Sequence, residues 1–498
     1  MFDVINSFVG GLWIALQPLN LMYCFIGALI GTLIGVLPGL GPVATVAMLL
    51  PITYHLQPVS ALIMLAGIYY GAQYGGSTTA ILMNVPGENS SVITCLDGHQ
   101  MARKGRAGPA LAVAALASLF AGCLATVFIA FFAPPLAEVA LLFGAAEYFS
   151  LMVLGLVSAI VLAQGSLITA LGMITIGLLL SLVGTDVHSG AQRMTLGIPE
   201  LGDGIGFVPL AVGLFAVADI IRNLERGENR SFVNTAITRL WPSSEDFRRS
   251  AWPSVRGTTL GAILGILPGG GAMLSSFAAY ALEKRLSSRP EEFGKGAVEG
   301  VAAPEAANNS GAQTSFIPLL TLGIPSNPVI ALMAGAMIIH GIQPGPQLIT
   351  KNPDVFWGLV ASMLVGNVML VLINLPLIGI WVSLLKVPYR LFYPALLVFS
   401  CIGVYTLNNS VFEVLLLLGF GVLGYVFLKW GCEPAPLLLA YVLGPLMEEN
   451  LRRAMLLAKG DVTIFITRPI SLTLLLVAAA LLVLILLPSF RRTREVAM

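Results

Sequence analysis

Two stretches decide how this chain folds: Gly27-Ala-Leu-Ile-Gly31-Thr-Leu-Ile-Gly35-Val36-Leu37-Pro38-Gly39-Leu40-Gly41 and Gly257-Thr-Thr-Leu-Gly261-Ala-Ile-Leu-Gly265-Ile266-Leu267-Pro268-Gly269-Gly270-Gly271. Corresponding residues stand a constant distance apart, since 257 − 27, 268 − 38 and 271 − 41 all equal 230. Glycine at every fourth position makes a helix face that a second backbone can approach closely. The Pro-Gly-x-Gly that follows removes a donor and frees the chain from helical dihedrals, so each helix is predicted to break inside an apolar stretch. Broken backbone at membrane depth leaves polar groups unpaired unless it lines a cavity or lies inside protein. A kink at the membrane surface is the plainer alternative. Matched breaks, one per half, mark the binding site of a duplicated transporter.

The match continues beyond the breaks. Gly76-Ser77-Thr78-Thr79 leading to Asn84-Val85-Pro86-Gly87 pairs with Gly311-Ala312-Gln313-Thr314 leading to Gly323-Ile324-Pro325-Ser326, and Gly108-Pro109 pairs with Gly345-Pro346. The chain therefore reads as an internal duplication. Its loops carry opposite charge bias. The segment with Arg103, Lys104 and Arg106 is basic, whereas its counterpart from Gly335 to Gln343 has no Lys or Arg. Conversely, Glu283-Lys284-Arg285 to Lys295 is basic and its counterpart around Pro51 to Pro58 is not. Basic loops stay cytoplasmic, so this swap predicts that the two repeats are inverted.

Composition agrees with a membrane protein. Of the 498 residues 57% are hydrophobic, mean hydropathy is +0.89, and 10% are charged, against about 25% in soluble domains. Apolar runs such as Ala110 to Phe132, Phe149 to Ala163, Phe207 to Ile221, Val411 to Leu428 and Ile470 to Leu487 suit helices that cross a bilayer. The predicted fold class is an all-α polytopic membrane protein of roughly ten to twelve spans, with broken helices and re-entrant hairpins. The expected organisation is a first repeat over 1–221, a charged cytoplasmic linker over 222–256, a second repeat over 257–487 and a basic cytoplasmic tail over 488–498. Met1-Phe2-Asp3-Val4 lacks a basic n-region, so the first apolar stretch reads as a retained helix.

Catalytic signals are missing. Cys24, Cys95, Cys123, Cys401 and Cys432 are scattered and read as small apolar packers. His55, His99, His188 and His340 have no metal-binding spacing, and no G-x-S-x-G or Walker pattern occurs. The chain is expected to be no enzyme, to carry no metal or other cofactor and to have no nucleic acid partner; its net charge of +1 says nothing about partners.

Polar residues gather after each break. Ser77, Thr78, Thr79, Asn84 and Pro86 do so in the first half, and Asn308, Asn309, Ser310, Gly323, Pro325 and Ser326 in the second. With Pro38, Gly39, Gly41, Gly269 and Gly271 of the breaks, they form the expected substrate and ion site. Hydroxyls, amides and free N–H groups are ligands for an anion and for a small hard cation, although a single Ser or Thr in a membrane helix usually bonds to its own backbone. Glu299 and Glu305 either serve the coupling ion or anchor Lys295 or another cation; Asp186 reads as a helix cap. The motif regions hold no Lys or Arg, and a helix N-terminus supplies only about half a charge. A co-bound sodium ion or proton is therefore expected.

These residues also carry a resemblance. The two Pro-Gly breaks, Glu299-Gly-Val-Ala-Ala-Pro-Glu-Ala-Ala-Asn-Asn-Ser310, Pro318-Leu-Leu-Thr-Leu-Gly-Ile-Pro325 and His340-Gly-Ile-Gln-Pro-Gly-Pro346 resemble the large membrane subunit of bacterial tripartite tricarboxylate transporters. The resemblance implies a multi-pass protein of the bacterial inner membrane. Its partners would be a small membrane subunit, a periplasmic solute-binding protein, a carboxylate substrate and the lipid bilayer. It implies binding-protein-dependent secondary uptake of a carboxylate anion by alternating access. Ser326 departs from the family pattern, where Ile-Pro-Gly would place a glycine.

Overall fold

The structure, a computed structural model, describes residues 2–37, 41–162, 166–186, 188–226, 239–267, 271–384 and 392–486. They are almost wholly helical, and the one sheet among them is a short antiparallel hairpin, Gly184–Thr185 with Gln192–Arg193. The all-α class is as expected. Five helices are long and apolar enough to cross a membrane by length and composition, and seven shorter apolar helices of 10–17 residues accompany them. At about 1.5 Å per residue, the shorter ones cover only part of a hydrocarbon core about 30 Å thick.

Two helix pairs occupy the centre. In the first, Pro18–Gly35 is followed by the returning helix Pro42–Thr53 and then by Pro58–Met83. A Cβ on Gly27, Gly31 or Gly35 would collide with the backbone of Met64, Ile68 or Ala72, and Gly67, Gly71 and Gly75 meet the first helix in the same way. In the second, Ser244–Ile266 and Gly271–Leu286 precede Glu299–Thr314. There Gly257, Gly261 and Gly265 face Ala303, Ala307 and Gly311. The contacts advance in the same sense on both helices, so each pair is parallel and the helix between must run back. The helices stop on either side of both Pro-Gly motifs, at Gly35 and Pro42 and at Ile266 and Gly271. Pro38, Gly39, Pro268 and Gly269 lie outside the described residues, as do 488–498 of the expected tail.

The two ladder-and-turn segments can be compared position by position. Ladder partners and helix ends both differ by 239, since 311 − 72 and 323 − 84 give that number. Gly311 therefore matches Ala72 rather than Gly76, a shift of one helical turn. The second half carries nine more residues (239 − 230) between its glycine ladder and its hairpin, and composition alone does not fix helical phase. Pro58–Met83 ends on Asn84 with φ 55°, and Phe316–Leu322 ends on Gly323 with φ 75°. A left-handed C-cap is a position that Gly and Asn tolerate best, which explains how an Asn answers a Gly here.

Two further expectations change. Asp186 caps no helix; it lies beside the hairpin, where Ser189 donates to it at 2.6 Å and Arg193 and Arg452 pair with it. The second ladder helix begins at Ser244 on a Ser243–Asp246 capping box, and the preceding helix Ala218–Arg226 runs into the same segment, so 222–226 and 244–256 of the expected linker are helical.

Candidate substrate and ion site

Helix Glu299–Thr314 is buried along its whole length despite two carboxylates and two asparagines. Such groups must find partners on the surrounding helices. Glu305 finds them in the first half: Ser77 Oγ donates to it at 2.7 Å, and Thr94 Oγ1 donates to its other oxygen. Asn309 Nδ2 donates to Ser118 Oγ at 2.7 Å on the long helix Ala107–Ala140. Tyr74, Ser77, Ser118, Glu305 and Asn374 line a cavity beside this contact, with room for about one water. Any carboxylate substrate is larger, so its entry requires the helices to part.

A second contact set repeats itself across the halves. Asn308 Nδ2 donates to Glu88 at 3.1 Å, and the Asn327 side chain lies beside the Tyr69 hydroxyl. The two pairs are the same positions exchanged, because 308 − 69 and 327 − 88 both equal 239. Each hairpin thus sends the residue after its turn onto the other half's buried helix. Ion pairs among the described residues involve neither Glu88 nor Glu305.

The expected residues divide by what they touch. Ser77, Glu305, Asn308 and Asn309 come together between the halves. Thr79 Oγ1 lies 3.0–3.3 Å from the carbonyls of Gly35, Val36 and Gly75, Thr78 bonds to Tyr74 O, and Ser310 Oγ bonds to Thr258 O at 2.8 Å. These three tie backbone, Thr79 at the first break itself. Asn84 is exposed at its turn and Pro86 half-buried. Gly323 packs on Pro344 and Gly345, and Gly271 faces Asn327 and Ser315. Pro325 is buried, and Ser326 Oγ donates to Ser315 O at 2.9 Å. Ser326 is absent from the positive-φ residues, so the turn accepts a side chain there. Gly41 has open space around it. Glu88, Thr94, Ser118 and Asn327 were not singled out by the sequence.

Glu299 belongs to another structure. Arg249 holds it with two bonds of 2.7 and 2.9 Å and also reaches Glu292. That pairing, with Arg249 rather than Lys295, is the anchoring alternative. In the loop outside the helices, the Arg249 hydrogen bond holds the Glu292 carboxyl below its ordinary range. Arg249→Met should lower stability in detergent by about 2–3 kcal/mol, because it strands a largely buried carboxylate. Uptake per folded molecule should persist; its collapse in well-folded protein would return Glu299 to the transport site.

Comparisons with known proteins point the same way. The tripartite tricarboxylate transporter TctA family matches residues 21–439, which is most of the chain. The sequence is 59% identical over 495 residues to an Agrobacterium vitis protein described as "Uncharacterized 52.8 kDa protein in TAR-I ttuC' 3'region", covering 99% of both chains. It is 57% identical over 235 residues to "Uncharacterized protein in TAR-II ttuC' 3'region" of the same organism, covering 47% of this chain and 97% of that one. No solved structure matches.

Proposed function

Since this chain belongs to the tripartite tricarboxylate transporter TctA family, we propose that it imports a carboxylate anion by alternating access, driven by a sodium or proton gradient. It is a multi-pass membrane subunit of a tripartite system and has partner subunits. In this reading the partners are a small membrane subunit and a periplasmic solute-binding protein, and the membrane is the bacterial inner membrane.

The observation that carries the reading is the exchanged pair of contacts, Glu88 with Asn308 and Asn327 with Tyr69, beside the Ser77–Glu305 bond. Buried polar groups are expensive within a membrane protein and are kept where they serve a solute or ion. Here they sit where two helix breaks and two left-handed turns converge, as in carriers whose site lies between repeats. Reconstituted with its partner subunits, the chain should accumulate a radiolabelled carboxylate from the panel succinate, malate and citrate when a sodium or proton gradient is imposed. Uptake undiminished after both gradients are collapsed would end this reading.

Inverted repeats are part of the proposal. Lys104 donates to Lys295 O and Arg106 pairs with Asp246, so the end of the first half's crossing lies beside the start of the second ladder. Reciprocally, the His340 ring at the end of the second crossing lies near the backbone of Thr53. The first group is rich in Lys and Arg and is assigned to the cytoplasm. In a cysteine-free background, Lys104→Cys should label with an impermeant maleimide only from the cytoplasmic side and His55→Cys only from the outside. Both labelling from one side would refute inversion and leave the duplication standing.

A further inference from the structure

Resting on the cation-coupled reading above, we infer that two small hard cations accompany each anion, one at Glu305 and one at Glu88. Glu305 is buried and Glu88 half-buried, each without a Lys or Arg partner among the described residues, and each has nearby an amide oxygen that has no hydrogen-bond partner. Asn308 gives its Nδ2 to Glu88, while its Oδ1, on a residue 1% exposed, is unpartnered. Asn374, 4% exposed, lines the cavity with Glu305, and its Oδ1 is likewise unpartnered. In the cavity the Glu305 carboxylate and the Asn374 amide oxygen are both acceptors, and Asn308 Oδ1 is a second acceptor on the residue that binds Glu88. A cation between carboxylate and amide satisfies both, and an all-oxygen ligand set suits a hard ion.

The remaining oxygen ligands are hydroxyls, Ser90 beside Glu88 and Ser77 and Thr94 beside Glu305. Ser90 and Asn308 donate to Glu88, and Ser77 and Thr94 donate to Glu305. Nothing in either set favours a soft metal, and no cluster of three or more His, Cys, Asp or Glu side chains occurs there or elsewhere among the described residues.

Charge fixes the number. An anion brought within about 4 Å of one ionised carboxylate meets about 4 kcal/mol of repulsion at an effective dielectric constant of 20. Helix N-termini give back about half a charge each. Two bare carboxylates would exclude the substrate, so both must be neutralised before it enters. Proton and sodium share this chemistry. Protonation gives a neutral acid whose O–H donates to the amide oxygen, and sodium gives a carboxylate–ion pair that the amide completes.

The test uses the reconstituted complex and whichever of succinate, malate or citrate the unmodified protein accumulates. Accumulation of none would count against the functional reading itself, not against this inference. The initial rate is measured against proton and then sodium concentration, to identify the ion. Two sites predict a Hill coefficient of about two for that ion, falling to about one in Glu88→Gln and in Glu305→Gln. Should a variant no longer accumulate substrate, counterflow, which needs no net cation movement, should persist at a measurable though altered rate. A Hill coefficient of one in the unmodified protein overturns the inference, as does two retained in both variants. Loss of counterflow together with accumulation in a monodisperse variant overturns it as well, because the carboxylate then serves the substrate itself.

Discussion

Gly261→Leu should leave almost no folded protein in the membrane. A side chain at Gly261 runs into the carbonyl of Ala307 and the hydroxyl of Ser310. Neither can yield, because one is backbone and the other is bonded to Thr258 O at 2.8 Å. The two helices would have to separate along the whole ladder, and close packing is what holds helices together in lipid. Losing it costs several kcal/mol, on the order of the whole stability of about 5–15 kcal/mol. Gly10→Leu is the control, since nothing lies within 4 Å of a Cβ built there. Membrane yield and monodispersity in detergent decide the matter. A Gly261→Leu protein as stable as the parent would show that the ladder is not a packing face.

Asn309→Ala should cut uptake by about tenfold to a hundredfold, the equivalent of about 1.5–3 kcal/mol. Asn309 joins the Glu305-bearing helix to Ser118, and Ser118 lines the cavity on the other side. Without the amide, Ser118 loses its donor and the wall of the cavity is free to relax. Expression and insertion should remain near normal, since the helix keeps its ladder contacts. Thr79→Ala also lowers uptake in this account, through a loosened first break rather than a lost ligand. Cys123→Ala should change little, because Cys123 is a free, partly buried thiol in the long helix. Unaltered uptake by Asn309→Ala would move the site away from this contact.

The helical class and the glycine packing were legible in the sequence because both follow from local spacing. Gly27, Gly31 and Gly35 announce a close approach wherever the partner lies. The partners of the polar residues were not legible. Glu88 follows a Pro-Gly turn like many exposed acids, and its ligand Asn308 is 220 residues away. Thr79 and Ser310 looked like site hydroxyls, but helical phase turns them onto backbone carbonyls. Glu299 and Glu305 could have been separated in advance. Six residues at about 100° each place them about 120° apart around the helix, on different faces, and one meets Arg249 while the other meets Ser77. Asp186 was misread because a two-residue strand pair leaves no periodic trace.

The exchanged contacts are alike in position and unlike in charge: a carboxylate meets an amide on one side, and an amide meets a phenol on the other. If the two halves were chemically identical, facing inward and facing outward would be mirror situations of equal energy. Glu88 against Asn327 removes that degeneracy. One orientation carries its negative group nearer one leaflet, so the electric field across the bilayer, worth about 2.3 kcal/mol per charge per 100 mV, tilts the two wells in opposite directions. On the alternating-access proposal, the resting orientation then depends on voltage and on whether that carboxylate is neutralised.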